Sequence, residues 1–235
     1  MKILALETSA VTASVAVTEN EKLLAQSFQN SGLTHSATLM PMVADLLKNT
    51  GLKLEDMDVI AVAAGPGSFT GIRIGVAAAK GLAWPQDKLC APCSTLESMA
   101  WQCAHMEGEI CAVMDARRKQ VYNARFLAHS GTLTRLSEDR AIAVEDLLDE
   151  VSASGKPQIL VGDGAQLCYA AFEAAGVPAV MAPPHLICQT AWGVARAALE
   201  LAREDKLVSA GQMTPQYHRL SQAERERLER EQKKD

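Results

Sequence analysis

A glycine-rich turn is the first stretch of the chain that could do chemistry, because such turns can free backbone amides to bind phosphate. Residues 65–71 read Gly-Pro-Gly-Ser-Phe-Thr-Gly and directly follow an apolar, strand-like run at 59–64. A P-loop needs a second glycine five positions after the first, but Thr70 stands there. Thr70 also replaces the third glycine of the dinucleotide-binding pattern. The sequence therefore favours a tight strand-to-helix turn, and leaves open only the general affinity of a helix N-terminus for an anion.

Cysteines are the second group of reactive residues. Cys90 and Cys93 form a C-x-x-C pair, and Cys103 and Cys111 follow further along the chain. This spacing occurs in redox centres, but no second C-x-x-C or H-x-H completes a set of zinc ligands. Free cysteines are commonly small apolar core residues, so we favour burial over a redox role. No Ser-His-Asp arrangement supports a peptidase.

The helix expected after the glycine turn, residues 70–83, carries a small residue at every fourth position. Gly71, Gly75, Ala79 and Ala83 therefore share one face of the helix. Glycine in a helix interior costs about 1 kcal/mol relative to alanine, so this helix needs compensation. Close approach of another backbone would supply it, either within the fold or from a second chain.

The composition excludes several classes of function. The chain has 235 residues, 48% of them hydrophobic, which suffices for one large or two small domains and argues against wholesale disorder. Aromatic residues make up 4%, and acidic residues exceed basic ones by 28 to 23, so the isolated chain lacks the composition of a strong nucleic-acid binder. No secretory leader is evident, and no apolar run approaches the roughly 20 residues of a membrane span. We expect a cytoplasmic protein with reduced cysteines and no membrane contact.

The elements that must position these residues fall into two similar series. The first reads as a three-strand meander at 2–28, a helix near 38–48, the strand 59–64, the helix 70–83, a strand within 87–94 and a helix at 96–103. A second series follows from Glu109, with strands at 111–115, 122–125 and 132–142, a helix at 144–154, a strand at 159–161 and a helix at 165–175. Residues 3–17 can be laid over 111–125 at a constant offset, a pattern that duplicated α/β halves would produce.

This order predicts an α/β protein of two lobes. Residues 1–104 would form the N-terminal lobe and residues 105–189 a smaller C-terminal lobe, with the alanine-rich helix within 190–210 packing back on the first. Pro41 is awkward inside its helix, and a start near Thr38 or a kink would relieve this. Residues 221–235 are charged nearly throughout, and we expect them to form a solvated tail.

Several motifs resemble those of the bacterial TsaB family, also called YeaZ, over essentially the whole chain. They are Glu7-Thr8-Ser9, His35-Ser36, the run from Ala64 to Arg73, Gly81-Leu-Ala83 and Thr214-Pro-Gln-Tyr217. The resemblance implies an actin-like (ASKHA) fold, in which two RNase H-like lobes each contain a mixed sheet with flanking helices. It also implies a non-catalytic partner of TsaD, which transfers a threonylcarbamoyl group to N6 of adenosine at position 37 of tRNAs reading ANN codons, with TsaE as the ATPase of the assembly.

The same resemblance implies where partners bind. The catalytic paralogue carries an H-x-x-x-H metal pair, but Thr95 and Met99 stand in the matching segment, so we expect neither a catalytic residue nor a metal ligand here. The two N-lobe helices would pair with TsaD, or with a second copy in a homodimer; tRNA would bind only through the complex. The predicted interface residues are Leu39, Met42, Val43, Leu46, Gly71, Ile72, Gly75, Val76, Ala79 and Ala83.

A nucleotide is the remaining expectation from the resemblance. Glu7 and the turn containing Gly162 and Gly164 correspond to phosphate and adenosine contacts of actin-like ATPases, although Glu7-Thr8-Ser9 lacks the glycine of a phosphate turn. Arg117 and Arg118, followed by Lys119, are further candidates for a phosphate contact, or simply form an exposed turn. We expect no cofactor in the isolated chain, and ATP or Mg²⁺, where bound, at a subunit interface. The alternative function is an actin-like or sugar-kinase-like ATPase, or a peptidase.

Overall fold

The computed structural model describes residues 1–219. The predicted charged tail, 221–235, lies outside the described residues. Within them, six helices and eleven strands form two sheets with flanking helices. No helix in the described part of the chain combines the length and apolarity needed to cross a membrane.

The first sheet contains five strands in the order β3-β2-β1-β4-β5. Its elements are β1 (Lys2–Glu7), β2 (Ala13–Glu19), β3 (Lys22–Gln29), α1 (His35–Thr50), β4 (Val59–Gly65), α2 (Phe69–Ala83), β5 (Leu89–Ser94) and α3 (Thr95–Gln102). Strand β1 is antiparallel to β2 and parallel to β4, so the sheet is mixed. The parallel pair needs a crossover, which α1 supplies.

The second sheet repeats this plan. Its strand order is β11-β10-β6-β7-β8, and a further strand, β9, also pairs with β7. The elements are β6 (Gly108–Asp115), β7 (Gln120–His129), β8 (Thr132–Arg135), β9 (Arg140–Ala143), α4 (Val144–Ser154), β10 (Gln158–Val161), α5 (Ala165–Ala174) and β11 (Ala179–Met181), after which α6 (Ala191–Arg203) follows. Two mixed sheets with flanking helices confirm the predicted actin-like fold class.

Both faces of the first sheet are covered, which explains the continuous apolar run of β1. Leu4 and Leu6 point to the core formed with α1 and α2. Ile3 and Ala5 point to the opposite core, which α6 closes. Alternate residues of a strand face opposite sides, so a strand buried on both faces must be apolar at every position.

Two helices connect the lobes. The helix α3 packs against β6 through Leu96 and Met99, and against α6 through Trp101. Its N-cap is Ser94, whose hydroxyl accepts a hydrogen bond from the Glu97 amide at 3.1 Å. The shared packing of α3 with α6 and β6 joins the cores of both lobes.

The structure departs from the expected elements in three places. The strand expected at 132–142 is interrupted and forms the two strands β8 and β9. The helix α1 begins at His35 and continues through Pro41, so neither the start near Thr38 nor a break at the proline is needed. Strand β11 was not expected from the sequence. It has only three residues, and it exists because β10 offers it a parallel partner.

Candidate functional site

The small-residue face of α2 packs on the end of β1 within the monomer. A Cβ on Gly71 would lie 2.1 Å from the Thr8 carbonyl oxygen, and one on Gly75 would lie 2.5 Å from Thr8 Oγ1 and 3.1 Å from Val62 Cγ2. Thr8 Oγ1 donates a hydrogen bond to the Gly71 carbonyl oxygen at 2.8 Å. Glycine is required because the strand end occupies the space of a side chain. Of the two alternatives left open by the sequence, close approach within the fold is the one observed.

This packing places the predicted interface residues inside the monomer. All ten residues assigned to it are buried in the monomer: Leu39, Met42, Val43, Leu46, Gly71, Ile72, Gly75, Val76, Ala79 and Ala83. The periodicity identified the apolar faces of both helices, but these faces cover the protein's own sheet, as amphipathic helices usually do. In the folded monomer the eight non-glycine side chains of this set expose at most 5% of their surface, so little of them is left for a second chain to contact.

The opposite faces of α1 and α2 are exposed. We use the name outer helix face for the exposed small and apolar residues on these faces and at the C-cap of α2, which are Ala37, Met40, Pro41, Ala44, Ala77, Gly81 and Trp84. Met40 exposes 44% of its surface and Trp84 exposes 65%. A Cβ on Gly81 would meet no heavy atom within 4 Å. Small side chains beside two large apolar ones form a surface on which another helix can pack closely.

A cleft of about 610 Å³ lies between the lobes. It is lined by the loops after β1 and β6, by the glycine turn and the start of α2, and by residues 216–219. Its lining mixes aromatic groups such as Phe69 and Tyr122 with the charged residues Asp115, Arg117 and Asp163. Protein cavities of a few hundred to 1,000 Å³ commonly bind small molecules, so the cleft is large enough for one.

One wall of the cleft is a segment that we call the strap, residues 214–219. The Gln216 amide donates to the Ala64 carbonyl oxygen at 2.8 Å. A Cβ on Gly65 would lie 2.1 Å from the Gln216 carbonyl oxygen, so the glycine turn makes room for the strap. At the far end, Arg219 Nη1 donates to the Ala116 carbonyl oxygen of the second lobe. The strap thus connects the two lobes across the cleft.

Aromatic stacking fixes the middle of the strap. The ring of Tyr217 stacks on Phe69 with centroids 4.6 Å apart. Arg73 lies over Phe69, 3.8 Å from the ring centroid, and its Nε donates to Tyr217 Oη at 2.8 Å. Two of the motifs that carry the family resemblance, the run from Ala64 to Arg73 and Thr214–Tyr217, are therefore parts of one contact.

Glu7 is fully buried at the end of β1. Its Oε1 accepts a hydrogen bond from the Ser9 amide at 2.5 Å, and its Oε2 has no partner among the described residues. The pKa of Glu7 is raised to about 7, mainly by burial and to a smaller extent by the nearby Asp163 carboxylate, against the hydrogen bonds from Ser9, which lower it. Burial therefore favours the protonated form of this side chain more strongly than in an exposed glutamate.

Of the predicted nucleotide contacts, only Arg117 lines the cleft itself. Arg118, Gly162, Gly164 and Glu7 are not part of its lining, although Asp163, between the two glycines, is. A Cβ on Gly162 would lie 2.0 Å from the Val113 carbonyl oxygen, and one on Gly164 would lie 3.0 Å from the Met114 carbonyl carbon. These glycines make room for β6. Their turn, between β10 and α5, is therefore explained as a plain strand-to-helix turn.

The turn between β6 and β7 has an unusual backbone conformation that the sequence did not predict. Arg117, Arg118 and Lys119 all have left-handed backbone conformations, with φ of 62°, 55° and 56°. The Arg117 amide donates to Asp115 Oδ1 at 2.6 Å, and the Val144 amide donates to the Lys119 carbonyl oxygen at 3.1 Å. Left-handed conformations are unfavourable for residues with a Cβ, so these contacts hold the turn in an unusual shape.

The cysteines form no redox pair. Cys90 points into the core with α1 and α2, whereas Cys93 points into the core with α6, since residues three apart on a strand face opposite sides. Burial raises the pKa of both thiols. Within residues 1–219, no three His, Cys, Asp or Glu side chains are grouped to hold a metal ion.

Comparison with known proteins agrees with this geometry. Residues 22–226 match the family model described as "TsaD: tRNA N6-adenosine threonylcarbamoyltransferase". The chain is 30% identical to the tRNA threonylcarbamoyladenosine biosynthesis protein TsaB of Escherichia coli, over 93% of this chain and 95% of that protein. It is 35% identical to the Bacillus subtilis protein of the same name, over 71% of this chain and 73% of that protein. The chain belongs to the TsaB (YeaZ) family.

A solved structure extends the TsaB match to three dimensions. A protein of Pseudomonas aeruginosa, described as having similarity to peptidase YEAZ, superposes with a TM-score of 0.80 at 25% identity. The match covers 93% of this chain and 99% of the other. The family resemblance expected from the sequence motifs is confirmed.

Proposed function

We propose that this protein is a non-catalytic subunit of the tRNA threonylcarbamoyladenosine machinery, acting in the cytoplasm as the partner of TsaD. The names of its relatives supply the pathway. The observation that carries the subunit role is the outer helix face, which leaves Met40 and Trp84 exposed among small side chains. In this role it supports modification of position 37 in tRNAs that read ANN codons.

The match to the TsaD family model gives a physical reason for such pairing. Related folds carry related helices at equivalent positions, so the outer helix face can pack on its counterpart in TsaD. The same surface would pair two copies of this chain in an isologous homodimer. TsaE would join the assembly of the two different chains, and ATP or Mg²⁺ would bind at a subunit interface rather than in this chain alone.

The alternative, an ATPase with its own active site, has less support. Backbone atoms of β6 occupy the Cβ positions of Gly162 and Gly164, so these glycines have a structural explanation, and Glu7 is buried with a raised pKa. A peptidase lacks support as well: Ser9, Ser68, Asp115, Asp163 and His218 line the cleft, but among residues 1–219 no hydrogen bond joins this histidine to a serine or a carboxylate. Isolated protein incubated with ATP and Mg²⁺ should show no turnover above background.

The test of the interface is one charge placed on the outer helix face. Ala77→Glu should abolish co-purification with TsaD and shift a self-associated sample towards monomer, because the contact would bury an unpaired carboxylate. Glutamate is a good helix former and Ala77 is exposed, so folding should be unaffected. Ala170→Glu, on the exposed surface of α5, is the matched control.

A modification assay completes the test. A reaction containing TsaD, TsaE and tRNA should need this chain for product, and Ala77→Glu should lose at least tenfold in yield while Ala170→Glu retains it. Equal behaviour of the two variants, in both co-purification and modification, would show that the interface lies elsewhere. Full product without this chain would exclude the subunit role itself.

A further inference from the structure

The arginines of this protein fall into two groups by their partners. Five described arginines form ion pairs with carboxylates: Arg125, Arg135, Arg140, Arg196 and Arg203. Within residues 1–219, the other four have no carboxylate partner: Arg73, Arg117, Arg118 and Arg219. Arg117 and Arg219 line the cleft, Arg118 lies on the turn beside it, and Arg73 contacts the lining residues Phe69 and Tyr217. Within residues 1–219, the arginines without a carboxylate partner are therefore concentrated at one place.

The geometry points to an RNA-backbone contact at this place, formed by Arg117, Arg118 and Lys119. This inference rests on the proposed function, in which the assembly acts on tRNA, and it assigns part of the tRNA contact to this subunit. The three side chains are exposed and consecutive, and the chain leads directly from them to β7. Unpaired Arg and Lys side chains bind phosphate oxygens and release counterions, which makes the contact favourable without base recognition.

The backbone of the turn is rigid enough to hold such a contact. It is fixed from four sides, by Asp115, by Gln120, by the first turn of α4 and by Arg219 of the strap. Asp115 Oδ1 is occupied by the Arg117 amide. Glu145 and Asp146 lie at the start of α4, but neither forms an ion pair with the turn in the described part of the chain. The three cations thus remain available to an external anion.

Phosphate groups could come from a nucleotide or from RNA, and the lining of the cleft separates the two. Arg117 and Arg219 line the cleft, so a nucleotide inside it would meet them. Arg118 and Lys119 lie outside that lining, where only a ligand extending beyond the cleft can reach them. A chain of successive phosphates fits this row of cations better than one nucleotide does.

The test compares two double variants in the assembled complex with TsaD. Arg118→Asn with Lys119→Asn removes the outer cations, and asparagine tolerates the left-handed conformation, so the turn should keep its shape. Lys22→Asn with Lys53→Asn is the control, since both lysines are exposed, lie in the first lobe and give the same change in net charge. Fluorescence anisotropy with a labelled, unmodified tRNA transcript is measured from 0.05 to 0.3 M salt.

Loss of two phosphate contacts should lower the slope of log K against log[salt] by about 1.4–1.8, and weaken binding roughly 20- to 60-fold at 0.1 M salt. The control should keep the wild-type slope. Identical slopes for the two double variants would overturn the inference.

Titration calorimetry with a non-hydrolysable ATP analogue is the second experiment. If the variant lacking Arg118 and Lys119 weakens nucleotide binding and leaves tRNA binding unchanged, these cations bind a nucleotide and the RNA contact is excluded. Co-purification with TsaD should be normal for both variants, so failure here is distinct from failure of the subunit role.

Discussion

Alanine at Gly71 should destabilise the protein because the added Cβ would meet backbone. It would lie 2.1 Å from the Thr8 carbonyl oxygen, where ordinary contact begins at 3.4 Å, so α2 must move by about 1 Å. Overpacking of this kind costs about 3 kcal/mol, and loss of the hydrogen bond from Thr8 Oγ1 adds about 1 kcal/mol. Higher helix propensity returns about 1 kcal/mol, which leaves a net loss of about 3 kcal/mol in the free energy of unfolding.

Two other glycines of α2 provide internal controls. The Cβ of Gly75→Ala would meet the Thr8 hydroxyl at 2.5 Å, and because a side chain can rotate away, the loss should be smaller than at Gly71. Gly81→Ala meets nothing within 4 Å and should stabilise the protein by up to about 1 kcal/mol. The three substitutions change the same atoms in one helix, so differences between them report only the surroundings.

Urea unfolding followed by circular dichroism measures all three variants. Two protein concentrations are needed, because Gly81 belongs to the outer helix face and self-association would raise apparent stability. The expected order of stability is Gly81→Ala, then Gly75→Ala, then Gly71→Ala. If Gly71→Ala is as stable as Gly81→Ala, the small-residue face does not lie against β1. That face would then be available for contact with a second chain.

Three further predictions concern buried groups and the strap. Because the pKa of Glu7 rises from 4.5 to about 7 on folding, its protonated form favours the folded state, and the free energy of unfolding should fall as pH rises from 4.5 to 7. In urea unfolding measured across this pH range, Glu7→Gln should lack this fall, which amounts to about 3 kcal/mol. In a thiol titration of the native protein, only the half-buried Cys188 should react promptly, and the other five cysteines should react on unfolding. Tyr217→Ala removes a stacking contact and a hydrogen bond, so hydrogen exchange of the Gln216 amide should speed up roughly 10- to 100-fold, whereas Tyr217→Phe, which loses only the hydrogen bond, should change it less than about tenfold.

Local patterns predicted most elements because they depend on neighbouring residues. Alternation and apolar runs located β1 and β4, and periodicity located α2 and α6. Elements that depend on distant partners were harder to predict. Strand β11 has three residues and forms only beside β10, and α1 continues through Pro41 because its apolar face is held on the sheet.

The candidate site shows the same division. Gly71 and Gly75 indicated close approach of a backbone, but spacing along a helix cannot say whose backbone approaches. Thr8 is more than sixty positions away in sequence, and only the fold places it against Gly71. Likewise, the redox spacing of Cys90 and Cys93 loses its meaning once a strand directs them to opposite cores.

The sequence by itself determined the fold class and the family, because both are carried by local motifs and by the order of elements. The tertiary structure decided which face of each helix is exposed, how the strap joins the lobes, and where the described arginines without carboxylate partners lie. Burial and charge pairing depend on contacts between residues far apart in the chain, and these contacts exist only after the two sheets, α3 and α6 have packed together.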